Sequence, residues 1–284
     1  MRSPDRGPRL AVTVSVTSTV IGLVLLGWTP VADAESPTAG GAPAALTARH
    51  PDLDWAGSQV ARHEPPTGDQ PMDAPVPGLP GLDVSGHQGA IDWPAVAAKG
   101  ARFAYVKATE ATDYTNPYFA QQYDGAAKAG LIRGAYHFAT PDTSSGQAQA
   151  DYFVAHGGGW TNDGSTLPGL LDLEWNPYGP TCYGLNASDM VGWIRAFVAE
   201  YQAKVGRWPV IYTATGWWAQ CTGNMVDFSD NDPLMLARYA ADPGGMPYRW
   251  CCQAIWQYAD SGTFPGDQDV FNGDEDDLAA LAGG

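Results

Sequence analysis

The residues Leu170-Leu171-Asp172-Leu173-Glu174 carry the most chemistry in the chain. An apolar run closes on two carboxylates one leucine apart. Pro168-Gly169 precede it and Pro177 follows, so the pattern predicts a short buried strand. Strand side chains alternate faces, which puts Asp172 and Glu174 on one face and Leu171 and Leu173 on the other. Two acids side by side at a strand end repel each other and lose solvation, a cost to folding. Chemistry on a glycosidic bond uses such a pair, with one carboxyl kept protonated as an acid and its neighbour charged. For the triplet alone, the alternative is a solvated strand-end pair.

Short apolar strands alternate with amphipathic helices around this triplet. Strands are predicted over 81–84, 103–106, 132–138, 170–174 and 210–213, with shorter candidates over 234–239, 254–258 and 270–271. Asp92-Trp93-Pro94 reads as an N-cap with proline in the first turn, stopped by Gly100. Asn116-Pro117 opens a second helix, with Phe119 and Tyr123 on one face, and Gly130 closes it. A third helix spans 144–156. Ser188 is expected to cap a long helix in which Met190, Ile194, Phe197, Tyr201 and Val205 recur at helical spacing. This alternation predicts an α/β fold, an irregular (β/α) TIM-like barrel of about eight strands whose last third lacks strong helices.

Active sites of such barrels gather at the C-terminal strand ends. Those positions hold Asp83, Ser85, Lys107, Glu110, His137, Asp172, Glu174, Tyr212 and Trp256-Gln257-Tyr258, while Asp269 is taken to open the last strand. Aromatic rings there suit the apolar faces of sugars. His137 alone is as readily a hydrogen-bonded core histidine as a site residue. The five histidines have no metal-ligand spacing, and neither HExxH, GxSxG, a P-loop nor a dinucleotide fingerprint occurs, so no metal and no cofactor are expected. Asn186-Ala187-Ser188 is a formal glycosylation sequon.

Residues 1–34 read as an export signal: Arg2, Arg6 and Arg9, then an apolar stretch, then Ala32-Asp33-Ala34 as the cleavage motif. An uncleaved anchor is the alternative. Residues 35–80 read as a linker or pro-region rich in Pro, Gly and Ala, within which 50–60 could form a short docked helix; Trp55 is unusual in a free linker. Residues 81–284 suffice for one domain with a real core. After signal removal, 12 Lys+Arg stand against 29 Asp+Glu, a formal charge of −17. That argues against nucleic acid and anionic membranes as partners. The acids at 274–277 read as a solvated helix start. The mature chain is expected to be a secreted, extracellular monomer with no stable membrane association. Four cysteines in an exported chain suggest disulfides. Cys182 and Cys221, both placed in loops, are the natural pair. The adjacent Cys251 and Cys252 are free thiols, a vicinal disulfide or an intermolecular link.

Six ordered motifs carry a family resemblance. They are Gly81-Leu82-Asp83-Val84-Ser85-Gly86-His87-Gln88, Tyr105-Val106-Lys107-Ala108-Thr109-Glu110, Arg133-Gly134-Ala135-Tyr136-His137-Phe138, Leu171-Asp172-Leu173-Glu174, Ile211-Tyr212-Thr213 and Ile255-Trp256-Gln257-Tyr258. Together they resemble glycoside hydrolase family 25, the Chalaropsis-type lysozymes, across 81–284. The resemblance implies hydrolysis of the β-1,4 bond between N-acetylmuramic acid and N-acetylglucosamine in peptidoglycan glycan strands. It implies an active site of Asp83, Asp172 and Glu174, with Glu174 as general acid, Asp172 as the group that stabilises the substrate's attacking acetamido, and Asp83 and Asp269 holding the constellation. Tyr136, His137, Tyr212 and Trp256 are the implied subsite residues. A direct nucleophilic role for Asp172 is the rival mechanism. A wall-binding protein without catalysis and a glycosidase of chitin-like polymers are the other functions that fit.

Overall fold

The computed structural model describes residues 54–65 and 76–283. The expected signal and its cleavage point lie outside the described residues, as do residues 50–53 of the docked-helix candidate. No helix among the described residues is long and apolar enough to cross a membrane.

The strands in chain order are β1 (Leu79–Val84), β2 (Phe103–Glu110), β3 (Tyr114–Thr115), β4 (Ile132–Phe138), β5 (Leu170–Leu173), β6 (Val210–Thr213), β7 (Leu234–Ala237), β8 (Ile255–Ala259) and β9 (Asp267–Phe271). All but β3 join a closed ring in the order β1-β2-β4-β5-β6-β7-β8-β9, with β9 returning to β1. The short β3 pairs only with β2. Neighbours from β1 through β8 run parallel, but β9 is antiparallel to both β8 and β1. The cause is local. Residues 260–266 make a short turn with no helix, and a parallel return needs a crossover of a dozen residues or more.

The helices are α1 (Val60–His63), α2 (Trp93–Ala98), α3 (Phe119–Lys128), α4 (Gly146–Phe153), α5 (Ala187–Val205), α6 (Thr215–Thr222) and α7 (Glu275–Gly283). Asp92 caps α2 by accepting the Ala95 amide, as its sequence suggested. The cap of α5 is Asn186, which accepts the Asp189 amide, rather than Ser188. The helix therefore begins one residue into the sequon, and the asparagine itself explains the local sequence. Met190, Ile194, Phe197 and Tyr201 are all buried, which seats α5 on the sheet. The acids at the start of α7 are exposed, and Asp274 accepts the Asp277 amide there.

Two glycines decide what fills the barrel floor. A Cβ on Gly81 would overlap the Phe103 ring, and one on Gly134 would overlap the Tyr105 ring. Their absence lets both rings lie flat across the lumen. The inward acids stand nearer the opposite end.

Cys182 and Cys221 form a disulfide with Cα atoms 5.4 Å apart. Cys182 lies in the loop after β5, but Cys221 sits in the last turn of α6 rather than in a loop. Since the bridge spans 39 residues, replacing both cysteines by alanine should cost about 4 kcal/mol by the chain-entropy relation. Urea unfolding measures it, and a loss below about 1 kcal/mol would show that packing alone holds the two segments. Cys251 and Cys252 are both free and exposed, with their sulfurs 3.1 Å apart.

Candidate active site

Alternation along each strand sorts the candidates. On β5, Asp172 turns into the lumen while Leu171 and Leu173 join the apolar layer under the helices. Glu174 follows at the strand's end, on the side of Asp172. Asp83 faces the same space from β1, and its Oδ2 accepts the Gln257 side-chain amide at 2.8 Å. All three acids are buried. Tyr136 of β4 and Tyr212 of β6 are also lumenal; the Tyr212 hydroxyl donates to Gln257 Oε1 at 2.9 Å.

Burial pushes the carboxyls up. Asp83 rises to about 7 and Glu174 to about 8, both chiefly through lost solvation. Asp172 rises for the same reason, and the neighbouring Glu174 adds to the effect. With residues 54–65 seated over them, both carboxyls are thus held towards their protonated forms. Neither oxygen of Asp172 accepts a hydrogen bond from the described residues.

The last strand needs a correction of register. Asp267, not Asp269, opens β9 and stands opposite Asp83. Asp269 lies one layer deeper, opposite Gly81 and Gln257, with neither oxygen hydrogen-bonded by the described residues. Both face the lumen, because residues two apart on a strand share a face. Asp267 is thus the nearer support for Asp83. Its only sequence signal is that two-residue spacing from Asp269.

Two further candidates point elsewhere. His137 lies on the outer face of β4, stacked on Phe197 at 5.3 Å and tilted against Phe153 at 5.6 Å. Its Nε2 donates to Gln149 Oε1 at 2.9 Å, because that carbonyl oxygen can only accept. Its Nδ1 therefore accepts from the Thr109 hydroxyl at 2.8 Å. The structure does not bring it to the mouth. Trp256 is on the face of β8 opposite Gln257, its indole N–H donating to the Arg238 carbonyl at 2.8 Å. Gln257 holds the lumenal position, and the Tyr239 hydroxyl reaches the same amide at 3.1 Å. Neither of these two stands out in the sequence as a subsite group.

Burial holds the His137 imidazole down at about 4, against an ordinary 6.5. The unfolded chain takes up that proton first, so the stability contributed by neutral His137 is present above pH 6.5 and lost as pH falls towards 4. Imidazole NMR is expected to show a single neutral tautomer at pH 5.5. Protonation with a midpoint near 6.5 would mean that water reaches the ring.

Residues 54–65, with α1 at their centre, lie across the acids. Gly57 N donates to Glu174 Oε1 at 3.0 Å and Gln59 N to Oε2 at 3.1 Å. Ala56 O accepts from Gln257 Nε2 at 2.9 Å, and Gly57 O from the Tyr239 hydroxyl at 3.2 Å. Asp54 pairs with the buried Lys107 at 3.2 Å and His87 at 3.1 Å. Lys107 also holds Glu110 at 2.9 Å. His63 stacks on Trp175 at 4.6 Å with the rings 3° from parallel. The helix lies at Val60–His63, past the stretch 50–60 expected to form it, which it shares only at Val60.

A closed barrel with buried carboxylates gathered at the C-terminal strand ends is a form that glycosidases take. The chain belongs to the glycosyl hydrolases family 25, whose model matches residues 82–267. It is 49% identical over 213 residues to N,O-diacetylmuramidase of Arthroderma benhamiae, covering 75% of this chain and 90% of the relative. It is 45% identical over 210 residues to Lysozyme M1 of Streptomyces globisporus, covering 72% and 71%. Among solved structures, a family GH25 lysozyme from Aspergillus fumigatus matches with TM-score 0.71 at 49% identity, covering 72% of this chain and 99% of that one. Residues 54–65 precede the segment matched by the family model.

Proposed function

We propose that this chain is a muramidase that hydrolyses the β-1,4 bond between N-acetylmuramic acid and N-acetylglucosamine in peptidoglycan. The observation that carries the reading is the convergence of Asp83, Asp172 and Glu174 at the C-terminal strand ends of one barrel in a chain of this family. Relatives named N,O-diacetylmuramidase and Lysozyme M1 support the substrate class.

In this reading, Glu174 protonates the glycosidic oxygen as the C1–O bond breaks. The acetamido oxygen of the same sugar bonds to C1 from the opposite side, and Asp172 accepts the acetamido N–H as positive charge grows there. Glu174, now ionised, takes a proton from water as the water oxygen attacks C1 and displaces the acetamido oxygen. Each attack inverts C1, so the β configuration is kept. This route departs from the two-carboxylate scheme in using the substrate's own group. Asp83, held by Gln257 and faced by Asp267, fixes the acids in place. Tyr136 and Tyr212 line the sugar site from the lumen, and Trp175 offers an aromatic platform beside Glu174.

Export after cleavage at Ala34 fits the Cys182–Cys221 bridge, since disulfides persist in oxidising compartments. The catalytic barrel is 81–284, acting as a monomer on glycan strands. Mass analysis of digested peptidoglycan tests the reading. A new reducing end on N-acetylmuramic acid is expected. A reducing end on N-acetylglucosamine, or release of chitin fragments in preference, would overturn it.

A further inference from the structure

We propose that residues 54–65 are an autoinhibitory plug, so that the full chain is a latent form whose substrate cleft is filled by its own N-terminal segment. The proposal rests on the glycosidase reading of the acids. It goes beyond that reading, because nothing in the chemistry of the barrel requires this segment.

The segment meets the reacting groups themselves. Both oxygens of Glu174 accept backbone amides from it, Gly57 N at 3.0 Å and Gln59 N at 3.1 Å. A carboxylate so occupied cannot reach a glycosidic oxygen. The two N–H donors pull its carboxyl down, against the burial that raises it. Gln257, which braces Asp83, is tied to Ala56 O as well.

The flanking contacts follow the cleft on both sides. On one side, Asp54 sits against Lys107 and His87, and Trp55 packs edge-on to His87 at 5.0 Å. On the other, His63 covers Trp175, the ring best placed to receive a sugar face. Beyond it, Glu64 Oε1 accepts Gly216 N at 2.6 Å in the first turn of α6. The residue before that helix, Ala214, has no side-chain cap of its own, so the segment supplies one. Ala56 and Val60 are buried in the same core as the barrel residues.

Gly57 makes the arrangement testable in the intact chain. Its φ is +95°, and an added Cβ would overlap the Tyr239 hydroxyl and the Gln257 amide oxygen. Any larger side chain there expels the segment while leaving the barrel's own residues untouched. The activity seen in the parent equals that of the open barrel multiplied by the open fraction.

The experiment compares full-length parent, Gly57→Val, and a full-length chain with a site-specific protease sequence placed between Pro65 and Val76, assayed before and after cutting. The substrate is a soluble peptidoglycan fragment, at protein concentrations low enough for a severed segment to dissociate. An increase of roughly tenfold or more is expected for Gly57→Val and on cutting. Equal activity of parent, variant and cut chain overturns the proposal, and the cut chain gives this answer even if Gly57→Val folds poorly. Hydrogen exchange separates this failure from failure of the glycosidase reading. In the parent, the Gly57 and Gln59 amides should be protected, and in Gly57→Val they should exchange freely. If no form shows activity, protected amides sink the glycosidase reading alone. Unprotected amides in the parent sink the plug.

Discussion

Glu174→Gln is expected to lower turnover on soluble peptidoglycan fragments by roughly 10²–10⁴ or more, the share that acid–base catalysis contributes. The amide is nearly isosteric, so the barrel mouth keeps its shape. It can neither release a proton to the glycosidic oxygen nor take one from water, so both chemical steps suffer. KM should change far less than kcat, because the group acts on charge that develops in the transition state. Measurement in the Gly57→Val background keeps the two effects apart, since the substituted amide also presents one oxygen where the segment's two N–H groups meet a pair. Turnover within tenfold of the parent would mean that another residue, with Asp83 the nearest candidate, is the proton donor.

Asp172→Asn should be nearly as severe, roughly 10²–10³ in kcat, by analogy with removing one preorganised electrostatic partner. The reason differs from that at Glu174. Both Asp172 oxygens are without hydrogen bonds from the described residues, and they face the lumen beside the proton donor. In the proposed mechanism they accept a substrate N–H and oppose the positive charge growing on the acetamido group. Asparagine keeps one acceptor oxygen but loses the negative charge. The route also fixes the product. Proton NMR should show the β anomer first, with α appearing only by mutarotation. Initial α product would mean one direct attack by water and would overturn the acetamido route.

Much of this architecture was legible because it is periodic. β4 and β6 match the expected strands to the residue: β6 is a short apolar run after Pro209, and β4 is set off by Gly130 before it and Pro141 after it. β9 starts two residues before Asp269, where its sequence opens it, because the acids Asp267 and Asp269 carry no apolar strand signal. They sit in a strand because they face a polar lumen rather than a greasy core. The lumenal placement of Asp83, Asp172 and Glu174 was legible, since each lies at a strand's C-terminal end. On two strands one candidate fell on the outer face. At β4 the ring in the lumen is Tyr136, while His137 faces the helices. At β8 the lumenal group is Gln257, while Trp256 faces away. Period-two alternation says that neighbours differ in face, but not which of them faces in. The contact of Gly57 with Glu174 was beyond any local pattern, because it joins residues 117 apart through a backbone amide.

The lumenal acids also bear on how this chain could change over generations. Asp83, Asp172, Glu174, Asp267 and Asp269 are all buried, and burial raises every one of their carboxyls. Each is therefore folded against its own solvation. Exchange for an amide at such a site removes the charge and its solvation penalty with almost no change of shape. Drift towards a sturdier molecule runs directly through loss of chemistry. A descendant that had taken this path would keep its overall likeness to active relatives and be silent. On the proposed mechanism, the acids rather than the extent of similarity distinguish a working member of such a lineage.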